Sequence, residues 1–177
     1  MKAYVFSIGE KTTEICIDQL ERYGFEVVLL DGFESIGNKY KRFIMNAEGS
    51  CLKIDADIIP NSNIQYAKIE LNTKHVVSFS YFDFYRNDIW VGCPTLYSME
   101  AISDIQENLD ILDANRPETS ACRLPGIQEN RTNSNIIMGM HGFFQSQDDM
   151  KRVMLQKLAR RQESQFDIDF INKLRKI

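Results

Sequence analysis

Three short apolar runs, spaced by helix-length segments, constrain the fold of this chain more than any other feature. Ala3–Ile8 reads as a buried strand closed by Gly9. Thr12 or Thr13 then caps a helix running to about Tyr23, where Gly24 stops it. Glu26–Leu30 is a second strand, ending in Asp31-Gly32, and Lys39–Ala47 suits a second helix, stopped around Gly49. Cys51–Ile54 is a third strand that runs directly into Asp55-Ala56-Asp57. Pro60 and the Asn-Ser-Asn at 61–63 break the chain, and Ile64–Leu71 has helical character. Strand and helix alternate, so a mostly parallel sheet covered by helices is expected.

The second half is less regular. His75–Tyr85 is rich in Val, Phe and Tyr and reads as one or two strands. Ile89–Tyr97 reads as another, interrupted by Gly92 and Pro94, and Met99–Leu112 as a helix. Residues 115–135 are polar and hold two prolines, which suggests loop with one helical turn. Ile136–Met138 is a short strand leading into Gly139-Met-His141-Gly142. From Asp148 an acidic start and a basic body, Lys151–Arg161, mark a helix suited to its own dipole, with a shorter helix over Asp167–Lys176.

The 177 residues suffice for one domain with a sizeable core, and the composition, 44% hydrophobic and 26% charged, excludes disordered and fibrous classes. The net charge of -4 offers no overall field for nucleic acid, so none is expected as a partner. Cys16, Cys51, Cys93 and Cys122 are scattered without a CxxC pair, which reads as reduced thiols in a cytoplasmic protein. No run approaches the length of a membrane span, although the basic helix 151–161 could touch an anionic membrane surface.

The chemistry concentrates in Lys53-Ile-Asp55-Ala-Asp57-Ile-Ile-Pro60. Two carboxylates one residue apart stand where an apolar strand ends, and in open α/β sheets ligands gather at strand carboxyl ends. Neighbouring carboxylates repel, so a cation should stabilise them. A hard divalent ion shared with phosphate oxygens would do so. A solvated acidic turn is the plain alternative, which the apolar residues on both sides make less natural.

Val5-Phe-Ser-Ile-Gly9, Val27-Val-Leu-Leu-Asp31, Lys41-Arg-Phe-Ile-Met-Asn-Ala-Glu48 and Leu52-Lys-Ile-Asp-Ala-Asp-Ile58 together resemble the nucleotide-binding half of a GT-A glycosyltransferase. The resemblance covers residues 3–65 well and the remainder loosely. It implies one α/β domain over 1–177, with a Rossmann-like, mostly parallel sheet flanked by helices. Within it, 3–65 would be the nucleotide half, 66–147 the acceptor half and 148–177 C-terminal helices. It further implies a UDP-sugar donor, with Ser7 and Gly9 beside the nucleotide, Asp31 on the base, and Lys41 or Arg42 on ribose or phosphates. Asp55 and Asp57 would hold Mn²⁺ or Mg²⁺ against the donor diphosphate. His141, between glycines near the end of the domain, would be a further ligand, as in many members of the family. Its alternative is a partly buried histidine bonded to backbone; His75 reads as structural.

An inverting transfer needs a carboxylate base for the acceptor hydroxyl. Glu118, in Arg116-Pro-Glu-Thr-Ser-Ala-Cys-Arg123, is the candidate, with Asp110 and Asp113 as rivals and a surface glutamate as the alternative. The chain is short for the class, so another chain, including a second copy, could complete the acceptor side. Two other readings stay open: a GT-A-like domain that binds nucleotide or protein without catalysis, and a DxD phosphohydrolase.

Overall fold

The computed structural model describes residues 1–69, 71, 74–84, 86–132, 136–142, 146 and 148. All elements below belong to the first of two compact units, Met1–Phe143. The helices expected over 151–161 and 167–176, with the membrane contact assigned to the first, lie outside the described residues.

The chain opens β1 (Lys2–Phe6), α1 (Thr13–Arg22), β2 (Glu26–Leu30), α2 (Ile36–Asn46) and β3 (Cys51–Asp55), the alternation read from the sequence. β1 lies between β2 and β3 and is parallel to both. Every residue from Ala3 to Phe6 is buried, because this central strand is covered on both faces. Ala3, Val5, Leu52 and Ile54 pack with Cys16 and Leu20 of α1. Tyr4, Phe6 and Cys51 face the other way, onto Tyr40, Phe43 and Ile44 of α2. There Phe43 meets Tyr4, Tyr40 and Tyr97 edge-on, with ring centroids 5.0–5.7 Å apart.

After β3 come β4 (Ile58–Pro60), a 3-10 helix over Ser62–Lys68, β5 (His75–Asp83), β6 (Asp88–Tyr97) and α3 (Met99–Glu107). A 3-10 turn, α4 (Pro117–Ala121), β7 (Gln128–Arg131) and β8 (Ile137–His141) follow. The sheet runs β2-β1-β3-β6-β5-β8-β4, with β7 beside the first half of β5. The β1–β2, β1–β3, β5–β7 and β5–β8 ladders are parallel; those of β6 with β3 and β5, and of β4 with β8, are antiparallel. Parallel pairing thus leads, and the antiparallel ladders lie in the second half.

Boundaries shift for identifiable reasons. α2 begins at Ile36, ahead of the expected Lys39, because the Ser35 hydroxyl accepts from Asn38 N and caps it. β6 continues through Gly92 and Pro94. Ser78 pairs with Thr95 and Ser80 with Val91, so Phe79 alone faces residues 92–94 in a bulge. The 115–135 stretch holds α4, about the single helical turn expected, but also β7, where the polar sequence predicts loop. No described helix is long and apolar enough to cross a membrane.

Candidate functional site

The turn that carries Asp55 and Asp57 is held from four sides. Ala56 N donates to Phe6 O at 2.9 Å, and the Thr12 hydroxyl donates to Ala56 O at 2.7 Å. Thr12 therefore spends its side chain on this turn and makes no cap bond to α1. Asp55 N donates to the Cys93 sulfur at 3.3 Å, which the β6 bulge brings to the end of β3. Gly142 N donates to Asp57 O at 3.3 Å. The pair of acids thus sits at the carboxyl end of β3, fixed by β1, α1, β6 and β8.

Asp57 and His141 meet. β4 and β8 pair Ile58 with His141, and the His141 Nε2 lies 3.0 Å from Asp57 Oδ2. The other ring nitrogen, Nδ1, stands 3.2 Å from Oδ2 of Asp83, the residue opposite it on β5. Tyr81 presents its ring at 5.6 Å to the imidazole. Asp83 is itself held by Arg86, whose backbone N donates to Oδ1 at 3.1 Å and whose guanidinium lies 3.7 Å over Trp90. A carboxylate behind the far nitrogen of a histidine is the usual support for a metal-ligating imidazole.

Asp55 and Glu118 meet through Lys53, a residue to which the sequence pattern assigns no role. Lys53, fully buried, reaches Asp55 Oδ1 at 2.7 Å and Glu118 Oε1 at 2.8 Å, and lies 4.9 Å over the Phe6 ring. Burial opposes its charge, but the Asp55 and Glu118 carboxylates outweigh it and hold the ammonium well above the ordinary lysine range. Glu118 also lines a cavity of about 160 Å³ between α4 and strands β5, β6 and β7.

Two further ends of the site lie on β1 and β2. Ser7 is buried, and its hydroxyl bonds Glu10, Thr13 and Gly9 N within the loop. Gly9, at φ +84°, is exposed at the loop's apex with open space where a side chain would stand. Asp31 is exposed; its carboxylate accepts from Gly32 N. Arg42 donates to Asp31 O at 2.8 Å and pairs with Glu34, whereas Lys41 turns toward Asp110 on the surface. The lysine of α2 that reaches the strand ends is Lys39: its Nζ donates to Ser7 O and Gly32 O. Burial lowers the Lys39 pKa, with the Glu10 carboxylate opposing that shift. Glu10 is shifted upward, chiefly by burial, with the Asp57 charge adding to it. His75 bonds Gln128 at the far end of β5.

The donor set has a definite limit. Among the described residues no group of three or more His, Cys, Asp and Glu side chains is arranged to hold a metal ion. Asp57 and His141 are in contact at 3.0 Å, with Asp83 on the far ring nitrogen, and Asp55 Oδ1 is on Lys53. One carboxylate and one imidazole still suit a divalent ion that takes its remaining ligands from a diphosphate and water. The residues missed from the sequence are Lys53, Lys39, Asp83 and Glu10. The bulge residues Gly92 and Pro94 were a legible signal for the site, and nothing local marked Asp83.

No protein-family model matches the sequence. No curated protein matches it. The fold is shared with solved structures. A glycosyltransferase involved in the glycosylation of the major capsid of PBCV-1 aligns over 85% of this chain and 97% of its own, at 10% identity and a TM-score of 0.55. A homolog, from Mycobacterium sp. strain JC1, of Mycobacterium tuberculosis rv0371c aligns over 90% and 98%, at 11% identity and 0.55. The chain therefore has the GT-A-like α/β fold that its first 65 residues resembled.

Proposed function

We propose that this protein is a metal-dependent glycosyltransferase that moves a sugar from a UDP-sugar to an acceptor hydroxyl. One observation carries the reading: at the carboxyl end of β3 the Asp57–His141 pair stands beside two carboxylates, Asp55 and Glu118, joined by the buried Lys53. The shared fold supplies the reaction class by analogy with the PBCV-1 glycosyltransferase. The four thiols are free, which suits a cytoplasmic location.

In this reading the nucleotide lies along the loops after β1 and β2, against Ser7, Gly9 and Asp31. Phe33, 72% exposed in the second loop, offers a face for the base. Lys39 braces the two loops from beneath, and Arg42 braces the second. Asp57 and His141 would hold Mn²⁺ or Mg²⁺, with Asp83 fixing the imidazole ring. An ion held there would supply neutralisation of the diphosphate charge that grows as the nucleoside diphosphate leaves. Asp55 stays on Lys53 and orders the donor side. Glu118, held by the same lysine, takes the proton from the acceptor hydroxyl in an inverting transfer.

The test is UDP release from a panel of UDP-sugars with Mn²⁺, with and without Glu118→Gln. Turnover should fall roughly 100-fold in the variant, the scale of general-base catalysis, with donor affinity unchanged. Near-normal turnover would return Glu118 to a structural role beside Lys53. Binding of UDP-sugars without any turnover would favour a nucleotide-binding domain that does not catalyse.

A further inference from the structure

The cavity beside Glu118 has its own chemistry. It holds about 160 Å³, and its polar wall includes Ser78, Thr95, Thr119, Glu118, Glu129 and Arg131. Drug-sized ligands occupy about 300–1,000 Å³, so this space suits one ring rather than a nucleotide, a peptide or a lipid chain.

Each carboxylate of the wall is paired, Glu118 with a lysine it shares with Asp55. Glu118 Oε1 pairs with Lys53 at 2.8 Å, and Glu129 Oε1 pairs with Arg131 Nε at 2.9 Å. An anionic ligand would meet two carboxylates whose cations are already engaged. Each ion pair uses one oxygen and leaves the carboxylate's Oε2 as an acceptor held in place. Thr95 donates to Gly92 O at 3.0 Å and keeps its lone pairs for a ligand, while Ser78 and Thr119 add hydroxyls that can both give and accept. Lys53 is shared with Asp55, so the wall keeps a surplus of negative charge, and its converging acceptors and hydroxyls match a neutral polyol.

We propose that this cavity is a subsite for one neutral sugar ring, the acceptor whose hydroxyl meets Glu118. The assignment rests on the transferase reading for the word acceptor, but not for the binding itself. Its position agrees: Val91 and Gly92 line it from β6, the strand whose Thr95 pairs with Lys53. The site therefore opens beside the end of β3 that carries Asp55.

Cys122 makes the cavity measurable. It lines the wall and is half-buried, whereas Cys16, Cys51 and Cys93 are buried. Burial pushes its thiol up to about 12, so modification is slow and its rate is easily followed in mildly alkaline buffer. The experiment follows methanethiosulfonate labelling of Cys122 in the full chain, located by peptide mass spectrometry. Methyl glycosides of glucose, galactose and mannose, glucose 6-phosphate, and UDP with Mn²⁺ are compared as protectants. At least one neutral glycoside should slow labelling fivefold or more, and the sugar phosphate should not. Thr119→Trp, at an exposed position on α4, should abolish protection while leaving UDP–Mn²⁺ binding intact. Protection by the phosphate alone, by UDP–Mn²⁺ alone, or by no sugar would overturn the proposal. Glycoside protection without any UDP–Mn²⁺ binding would keep the sugar site and remove the transferase reading.

Discussion

Two charges at the site, the half-buried Glu10 and the buried Lys53, respond to pH in ways that can be worked out in sign. The folded pKa of Glu10 lies above the ordinary 4.5, mainly from burial. Below that ordinary value the carboxyl is protonated in both states, and its contribution to stability is fully present. As pH rises through the higher folded value, that contribution is lost. Glu10→Gln should therefore stabilise the protein at neutral pH and much less near pH ~4, read by urea unfolding at both. Equal effects at the two pH values would place the Glu10 charge outside the stability balance. Lys53 is shifted above the ordinary 10.5, so its stabilisation spans the neutral range and is lost only above that value. Lys53→Met leaves Asp55 and Glu118 facing each other. Both are partly solvated, so the loss should fall at the low end of the buried-pair range, about 3 kcal/mol. Adding Asp55→Asn should recover part of it. No recovery in the double variant would mean that Lys53 stabilises by packing over Phe6 rather than by pairing.

The elements differ in how well a single sequence announces them. β1 is apolar on both faces and β2 is a run of Val and Leu, while β3 is buried on both faces with Leu52 and Ile54 on one and Cys51 and Lys53 on the other, so short apolar runs identify them. β7 is Gln-Glu-Asn-Arg, exposed throughout, and is a strand only because β5 lends it a ladder. β4 is Ile-Ile-Pro, where Pro60 with residues 61–63 suggests a chain break and no strand is expected; Pro60 is tolerated because β4 ends the strand order of the sheet. Missing β4 hid the site's geometry, because β4 and β8 together bring His141 to Asp57. Asp55, Asp57, His141 and Glu118 are legible as residue types, whereas the Lys53–Glu118 contact depends on where α4 packs and the Asp83–His141 contact on sheet order. Gly139 sets the approach of β8: a Cβ there would lie 2.6 Å from Ile59 O and 2.9 Å from Ile58 Cγ2. Gly139→Ala should cost about 1–3 kcal/mol as β8 moves away. It should also weaken Mn²⁺-dependent UDP binding, because His141 moves with the strand. Unchanged stability and unchanged affinity together would show that β8 tolerates the methyl group.

At the scale of the whole molecule, the account joins two halves of one sheet. The parallel half, β2-β1-β3, presents the loops proposed to take the nucleotide; the second half supplies His141 and Asp83, and α4 packed on it supplies Glu118. The site exists only where the halves meet, at the β3–β6 ladder and the β6 bulge. The central claim is that Asp57 and His141 hold a divalent ion against a nucleoside diphosphate. Thermal unfolding with UDP, in Mn²⁺ or in chelator, tests it directly, because only a ligand that binds the native state raises the midpoint. At about 100 times its dissociation constant, such a ligand adds roughly 2.7 kcal/mol. For a chain of this length that corresponds to roughly 5–10 °C in Tm. The account expects this rise with UDP and Mn²⁺ together, little with UDP in chelator, and its loss in Asp57→Asn without loss of the apo fold. Equal stabilisation by UDP in chelator, or an undiminished rise in Asp57→Asn, would contradict it.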